Sequence, residues 1–188
     1  MSTQSPIRDE PALIEAVKNG DPAAVKTLIE AYQRPIFALC FRFVGNREDA
    51  EEVSQDVFIR ALRHLNTFEP KAKLFTYLYR IAVNLSLNRI RDRKRMAWIP
   101  FWGLDQNGPN PVSTDPGPDV AMIQKETDTI VRKAIEKLPA NQRTALNLKL
   151  EGLSYAEIAE VTGTTVSAVE TRLFRARQAL EKKLAGLI

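Results

Sequence analysis

The stretch LFTYLYRIAVNLSLNRIRDRKR, from Leu74 to Arg95, decides how the rest of the chain is interpreted. On an α-helix successive residues turn by about 100°, so six of its aromatic, amide and arginine side chains fall within roughly 80° of arc. We call this set the cationic stripe: Tyr77, Arg80, Asn84, Asn88, Arg91 and Arg95. The opposite side is apolar, with Leu74, Leu78, Ile81, Ala82 and Leu85. The pattern predicts an amphipathic helix with one core-facing side and one basic side.

The charge of this region differs from that of the whole chain. Residues Lys71 to Arg95 contain eight Lys or Arg and one acid, whereas the net charge of all 188 residues is +4. Such a surface favours a polyanion, since cations neutralise phosphates while rings and amides can stack on or bond to exposed bases. We therefore expect single-stranded DNA to bind here in preference to an intact duplex. The alternative is a solvated basic face with Tyr77 as an ordinary boundary residue.

The composition indicates a soluble globular protein of one ordinary domain or two small ones. Hydrophobic residues make up 44% and charged residues 27%, and no run approaches the ~18 apolar residues of a membrane span. The first ten residues are polar, so no secretory or transit signal is visible. We expect a cytoplasmic protein without membrane insertion of its own.

The rare residues limit the possible chemistry. One cysteine, Cys40, excludes an internal disulfide, and with a single histidine, His64, there is too little ligand chemistry for a zinc site. Cys40 lies in an apolar run and should be a core residue, and His64 should lie on a helix surface near a C-terminus. No glycine-rich phosphate loop accompanies the carboxylates. We expect neither a cofactor nor a metal nor an enzymatic activity.

The region before the cationic stripe carries an excess of acid. A predicted helix from Arg47 to about Leu65 begins with five acids against one base. We call these acids the acidic ridge: Glu48, Asp49, Glu51, Glu52 and Asp56. Acids stabilise the positive end of a helix, but five exceed that need. With Gln55 and Phe58 close by, the ridge could bind a basic protein partner.

Caps and breakers predict further helix boundaries. Asp21-Pro22 is an N-cap followed by proline at the first helical position, and Pro35 should kink or divide the helix that follows. Gly45-Asn46 should end that helix and cap the next. The segment from Asn66 to Lys73 should be a loop that leads into the basic helix.

A linker divides the chain. From Ala97 to Pro118 there are five prolines, three glycines and no Lys or Arg, a composition typical of a linker. We predict an all-α protein of two small helical domains, 1–96 and 119–188, joined by the flexible linker 97–118. The apolar run Trp98 to Trp102 should pack back on a domain or bind a partner.

The second domain has the pattern of a helix-turn-helix. Helices are predicted from Asp119 to Pro139 and from about Ala140 to Glu151, and a capping box opens a third at Ser154. A turn at Gly163 and a cap at Thr164 precede the last helix, which reaches toward Leu184.

The last helix has two faces. Its predicted buried face is Val166, Val169, Leu173, Ala176 and Leu180. Its predicted exposed face is Ser167, Glu170, Thr171, Phe174 and Gln178, flanked by Arg172, Arg175 and Arg177. Polar groups near the helix start could contact base edges in a major groove while the arginines bind phosphates. A structural helical hairpin fits the core residues equally well but leaves the arginines without a role.

Three blocks of sequence resemble one family, the extracytoplasmic-function (ECF) sigma factors of bacterial RNA polymerase. DAEEVSQDVF, from Asp49 to Phe58, resembles the family's core-binding helix. FTYLYRIAVN, from Phe75 to Asn84, is similar to its promoter-opening helix. The C-terminal motif comprises Leu138-Pro139, EGLSYAEIA from Glu151, and TRLFRAR from Thr171. The resemblance covers nearly everything except the linker.

The resemblance implies partners and roles for named residues. Core RNA polymerase would bind Asp49, Glu52, Gln55, Asp56 and Phe58. The −10 promoter element would be melted and bound by Lys73, Phe75, Tyr77, Arg80, Asn84, Asn88 and Arg91. The −35 element would be read by Ser167, Glu170, Thr171, Arg172, Phe174 and Arg175. Family members are commonly held by an anti-sigma factor, so this partner is expected too.

Three residues depart from the family pattern. Tyr77 replaces the usual Trp, Asn88 stands where an Asp is common, and Glu170 occupies a position that is often basic. Each could alter the promoter sequence that is preferred.

Two other functions fit parts of the sequence. A conventional helix-turn-helix regulator would bind duplex DNA tightly without polymerase, but it leaves the acidic ridge and the basic helix unexplained. A helical enzyme or adaptor could use Glu51, Glu52 and Asp56 for a metal, although the usual ligand set is missing.

Overall fold

The computed structural model describes residues 7, 9–68, 73–97 and 130–185, and all secondary structure in these ranges is helical. The N-terminal half comprises α1 (Glu10–Lys18), α2 (Pro22–Val44), α3 (Arg47–His64), a short 3-10 turn (Leu65–Thr67) and α4 (Leu74–Ala97). The C-terminal half comprises α5, whose described residues are 130–136, α6 (Ala140–Leu150), α7 (Tyr155–Thr162) and α8 (Val166–Leu184). Ala97, predicted as the first linker residue, is the last residue of α4. The rest of the linker, the run Trp98 to Trp102 and the predicted start of α5 at Asp119 lie outside the described residues.

Helix α2 begins as its sequence predicts but is not divided by its proline. The Asp21 carboxylate accepts a hydrogen bond from the Ala23 N–H at 2.9 Å, and Pro22 takes the first helical position. The helix then continues through Pro35 to Gly45, whose φ of 84° ends it. A proline inside a helix costs about 3 kcal/mol, because it lacks an N–H donor and its ring crowds the carbonyl four residues earlier, and the burial of a long row of α2 side chains offsets that cost. This row is Leu28, Tyr32, Ile36, Leu39 and Cys40.

Helices α2, α3 and α4 pack against one another and form the core of the N-terminal half. Asn46 caps α3 by accepting from the Asp49 N–H at 2.9 Å, and α3 buries Val53, Val57 and Ala61. Helix α4 lies against both other helices, so its buried arc is wider than its sequence predicts. In addition to Leu74, Leu78 and Ala82, it buries Phe75, Thr76, Tyr79, Val83 and Ser86, whereas Ile81 and Leu85 of the predicted apolar side are only half-buried.

The single cysteine is a core residue, as expected. Cys40 is fully buried, and burial raises the pKa of its thiol to about 11 even though a hydrogen bond with Ser86 acts in the opposite direction. His64, in contrast, is an exposed residue at the end of α3.

Helices α7 and α8 form the predicted helix-turn-helix. The Ser154 hydroxyl accepts from the Glu157 N–H while the Glu157 carboxylate accepts from the Ser154 N–H, which completes the capping box. Gly163 takes the left-handed conformation with φ 63°, and it ends α7.

Two details of α8 differ from the prediction. The N-cap is Thr165, whose hydroxyl accepts from the Ala168 N–H at 3.2 Å; Thr164 instead donates its N–H to the carbonyl of Ala159, so it closes α7. The predicted buried face is also shorter. Val169 and Ala176 are fully buried, whereas Val166 is 43% exposed because the first turn of α8 extends past the core of its own half.

The two halves are in contact. Helix α7 lies against α4, and α6 lies against α2. Arg42 of α2 forms an ion pair with Glu151, which follows α6, and Arg80 of α4 donates a hydrogen bond to the carbonyl of Glu160 in α7. The cationic stripe therefore begins at the contact between the halves.

Candidate nucleic-acid and protein interfaces

The cationic stripe lies on the surface of α4 for most of its length. Arg80, Asn84, Asn88, Arg91 and Arg95 are all exposed. The Arg91 guanidinium donates to the Asn88 amide oxygen at 3.2 Å, so these two neighbours on the helix orient each other. The stripe thus presents amides and guanidiniums together, which suits the bases and phosphates of a single strand.

Tyr77, at the start of the stripe, is only partly exposed. Its hydroxyl donates to the carbonyl of Ala61 at 3.3 Å, and its ring lies 5.0 Å from the ring of Phe68 at an angle of 52°. Burial raises the pKa of the Tyr77 hydroxyl although Arg60 lies close enough to lower it, so the group remains a neutral donor. One part of the ring is therefore packed, and the rest borders the stripe.

The two residues at the start of α4 have different surroundings. Lys73 is exposed just before the helix. Phe75 is 7% exposed, and its ring centroid lies 3.9 Å from that of Tyr79. The ring of Phe75 therefore packs in the core in this arrangement, and the stripe's aromatic surface comes from Tyr77 alone.

The acidic ridge is partly neutralised by α4. Arg89 donates to Asp49 at 2.6 Å and also pairs with Glu52, and Arg93 reaches Asp49 at 3.4 Å. Burial opposes ionisation of Asp49, but hydrogen bonds from Asn46 and Arg89 outweigh it and lower the pKa of Asp49. The same bond to Asp49 raises the pKa of Arg89. These charges join α3 to α4, a use that the sequence spacing does not reveal.

The predicted polymerase-binding residues point in three directions. Gln55 and Phe58 line a groove of about 470 Å³ between α2 and α3. Asp49 and Glu52 face the α4 arginines. Asp56 lies in a separate depression between α3 and α4, beside Arg60, Arg63 and His64.

The groove between α2 and α3 contains residues that the sequence analysis missed. Ile29, Gln33, Arg34 and Phe37 of α2 form its other wall. Phe37 stacks on Phe41 with ring centroids 6.2 Å apart, and Phe41 is 38% exposed. The signal was available, because positions 29, 33, 37 and 41 repeat every four residues beside the core face of α2.

The exposed face of α8 agrees with its sequence pattern. Ser167, Glu170, Thr171, Phe174, Arg175, Arg177 and Gln178 are exposed, and Arg172 is half-buried. Phe174 is 60% exposed, the largest value among the exposed large hydrophobic residues of the described part. The Thr171 hydroxyl donates to the carbonyl of Ser167 at 3.0 Å, so its methyl group and a lone pair remain for a ligand. The face can contact base edges and phosphates of a duplex.

Both halves of the chain match known protein families. Residues 28–96 match the family model of sigma-70 region 2, and residues 128–180 match that of sigma-70 region 4. The ECF RNA polymerase sigma factor SigW of Bacillus subtilis is 35% identical over 179 residues, which cover 93% of this chain and 96% of that protein. The chain belongs to the ECF sigma factor family. It is accordingly an RNA polymerase sigma factor, a class of non-enzymatic initiation factors that direct transcription to particular promoters.

Solved structures share the fold of this sigma factor. CnrH in complex with the cytosolic domain of CnrY superposes with a TM-score of 0.68 at 24% identity, covering 94% of this chain and 97% of that one. RpoE in complex with the anti-sigma factor NepR from Bartonella quintana gives a TM-score of 0.61 at 22% identity, with 85% and 96% covered. The likeness extends over both halves of the sigma factor.

Two further expectations concern a membrane span and a metal site. Among the described helices, none has the length and apolarity needed to cross a bilayer. Within the same ranges, His, Cys, Asp and Glu side chains nowhere form the groups of three or more that could hold a metal ion.

Proposed function

We propose that the sigma factor divides promoter recognition between its halves: the cationic stripe holds the melted −10 strand, and the exposed face of α8 reads the −35 duplex. The supporting observation is the stripe itself. Its arginines and amides lie on one exposed face of α4, while Leu74, Leu78 and Ala82 on the other side of the same helix are fully buried. A rigid helix of this kind can hold cationic and amide groups at fixed intervals along a strand.

The stripe favours an opened strand for an energetic reason. Unstacking a base costs a few kcal/mol, and contact with an aromatic ring and bonds to amides offset that cost only once the base has left the duplex. Tyr77 provides the ring, Asn84 and Asn88 the amides, and Arg80 and Arg91 the cations. Binding by the stripe thereby selects the open state, and recognition is coupled to melting.

The groove between α2 and α3 is the proposed binding site for core polymerase. Its apolar wall, Ile29, Phe37 and Phe58, can pack against one face of a partner helix, and Gln55 and Glu51 at its rim can bond to polar groups of that helix. Asp49 and Glu52 contribute mainly by fixing α3 on α4, and Asp56 and Glu48 remain as exposed acids for a basic partner.

The sigma factor has no catalysis of its own in this proposal, because the polymerase supplies the chemistry. It works in the cytoplasm, where the polymerase and the promoter are found. An anti-sigma factor is the second proposed partner: the groove and the stripe are the surfaces that it would have to cover.

Transcription in vitro tests the proposed function. Core polymerase, a promoter library and the purified sigma factor are combined, and transcripts are sequenced. Enrichment of one pair of −10 and −35 elements is expected, and this enrichment should be lost when Gln55 and Phe58 are both replaced by alanine. A Lys183→Ala variant, altered at an exposed position in the last turn of α8 and so outside the groove, should retain it. If the sigma factor yields no promoter-specific transcript, the proposal is wrong.

A further inference from the structure

A cleft of about 310 Å³ lies where the C-terminal parts of α2 and α4 meet α5 and the first turn of α6. We call it the junction cleft. Its charged lining residues are Arg93, Lys133, Glu136, Lys137 and Arg143. Glu136 is the only acid among the described residues that line the cleft, so it can neutralise at most one of the four cations. The cleft therefore has a net positive charge.

Arg143 is the most deeply buried of these cations, with 8% of its surface exposed. Its guanidinium donates from Nη1 to the carbonyl of Glu136 at 2.9 Å. Its Nε is shielded from solvent and has no hydrogen-bond partner among the described residues. In the same part of the chain, no ion pair includes Arg143. A buried charge without a counterion is unfavourable, so an anion that enters the cleft would be stabilised by this guanidinium.

The other three cations of the junction cleft are exposed. Lys133 and Lys137 lie four residues apart at the end of α5, a spacing at which like charges repel each other. Neither lysine takes part in an ion pair with a described residue. Arg93 of α4 reaches Asp49 at 3.4 Å, but Arg89 lies closer to that carboxylate, at 2.6 Å. Arg93 therefore shares its acid, and part of its charge is left without a counterion.

The rest of the junction cleft is apolar. Phe43 and Val44 come from the last turn of α2, and Ile90 comes from α4. Apolar walls with a low dielectric constant focus the field of nearby charges and raise the local concentration of oppositely charged ligands. Small-molecule sites have volumes of roughly 300–1,000 Å³ and combine apolar walls with a few polar groups. The size and the lining of the junction cleft thus suit a small anion that also has an apolar part.

We propose that the junction cleft binds a short chain of phosphates, such as the di- or triphosphate of a nucleotide. Guanidinium and ammonium groups both bind phosphate oxygens. Several phosphate charges at close spacing could neutralise Arg143 and relieve the repulsion between Lys133 and Lys137. None of the six residues of the cationic stripe lines this cleft. The site is therefore additional to the proposed promoter-binding surfaces and does not depend on their role.

Calorimetry with the full chain tests this site. Sodium tripolyphosphate, ATP and GTP are titrated separately into the protein at low salt, without divalent cations. The cleft variant combines Lys133→Gln with Lys137→Gln, both at exposed positions. The matched control combines Lys182→Gln with Lys183→Gln, which removes the same two charges from the last turn of α8, outside the cleft. Because the two variants have the same net charge, nonspecific attraction of anions would fall equally in both.

Tripolyphosphate should bind the parent at a single site. The cleft variant should bind it about tenfold more weakly, as expected for the loss of two exposed ion pairs, and the control should bind it as the parent does. A ligand that binds only the folded chain also raises Tm, so thermal unfolding should rank the three proteins in the same order. Tighter binding of ATP or GTP than of tripolyphosphate would identify the ligand as a nucleotide whose base contacts the apolar wall. Equal affinities would identify the phosphate chain alone as the ligand.

Three results would overturn the inference. The first is a parent protein that binds none of the three compounds, and the second is an equal loss of affinity in the cleft variant and the control. The third is a cleft variant that binds tripolyphosphate like the parent but binds promoter DNA more weakly in the holoenzyme, because the lysines would then contact DNA. None of the calorimetric results involves transcription, whereas an absence of promoter-specific transcripts would contradict the proposed function alone.

Discussion

Arginines of α4 and α8 are similar in sequence but differ in their surroundings. On α4, Arg89 and Arg93 pair with acids of α3, and Arg80 is bonded to a carbonyl of α7. On α8, Arg175 and Arg177 are exposed, and within the described residues neither takes part in an ion pair. Arg89 and Arg93 stabilise the fold, and Arg80 joins the halves although it also belongs to the stripe, whereas the α8 arginines are available for phosphates.

This difference changes how the net positive charge of residues 71–95 is interpreted. The excess of cations between Lys71 and Arg95 includes arginines that neutralise the acidic ridge. The ridge and the basic helix are therefore one structural unit as well as two proposed binding surfaces, and the number of unpaired cations on α4 is smaller than its sequence indicates. Four predictions test the distinction between structural and binding residues.

The largest effect is expected at the start of the stripe. Arg80→Ala and Asn84→Ala should each reduce formation of the open promoter complex about tenfold, which corresponds to roughly 1.4 kcal/mol. Closed-complex formation should change much less, since the −35 contacts are intact. Permanganate reactivity of melted thymines reports opening, and a gel shift with holoenzyme on ice reports the closed complex. Equal losses in both assays would contradict a role in strand capture.

Substitution of a structural arginine should change the stability of the fold more than it changes DNA binding. Arg89→Ala should lower the free energy of unfolding by about 1 kcal/mol, since the partly buried Asp49 loses a bonded cation. Urea titration followed by circular dichroism measures the change. Arg175→Ala is the matched exposed substitution and should stay within roughly 0.5 kcal/mol of the parent. A similar loss in both variants would remove the distinction between the two helices.

A binding arginine should show the reverse pattern. Arg175→Ala should weaken binding of holoenzyme to −35 DNA a few-fold at low salt and reduce the slope of log K against log salt by about 1, as expected for one phosphate contact. Fluorescence anisotropy at several salt concentrations gives both quantities. An unchanged slope would mean that Arg175 does not contact a phosphate.

The smallest effect concerns pH. The pKa of Asp49 is lowered in the folded chain from its ordinary value of 3.8. Ionised Asp49 therefore stabilises the fold fully at pH values above 3.8, and this contribution is lost as the pH falls through the lowered pKa. The difference in unfolding free energy between the parent and Asp49→Asn should therefore be constant near neutral pH and shrink below 3.8. Urea titrations at a series of pH values measure it. A difference that persists at the lowest pH would point to packing instead of charge.

Sequence spacing predicted those features that a single helix or turn determines. The cationic stripe, the Asn46 cap, the Ser154 capping box and the Gly163 turn are confirmed, because periodicity and local hydrogen bonding act within a few residues. The all-α fold with a C-terminal helix-turn-helix follows from the same patterns.

The rest depends on neighbours that are distant in sequence. Phe75 is buried because two helices pack on α4. Val166 is exposed because the first turn of α8 extends past the core of the C-terminal half. Arg89 and Arg42 are long side chains whose partners, on α3 and after α6, come into reach only in the folded chain. The roles assigned to the site residues stay predictions until the variants above are measured.

The depth of Cys40 has a consequence for signalling. Only thiolate reacts rapidly with peroxide, and a thiol with a pKa of about 11 is almost entirely protonated at neutral pH. The sulfur is also fully shielded from solvent, and no second cysteine exists to form an intramolecular bridge. An oxidant therefore has no direct thiol switch in this chain.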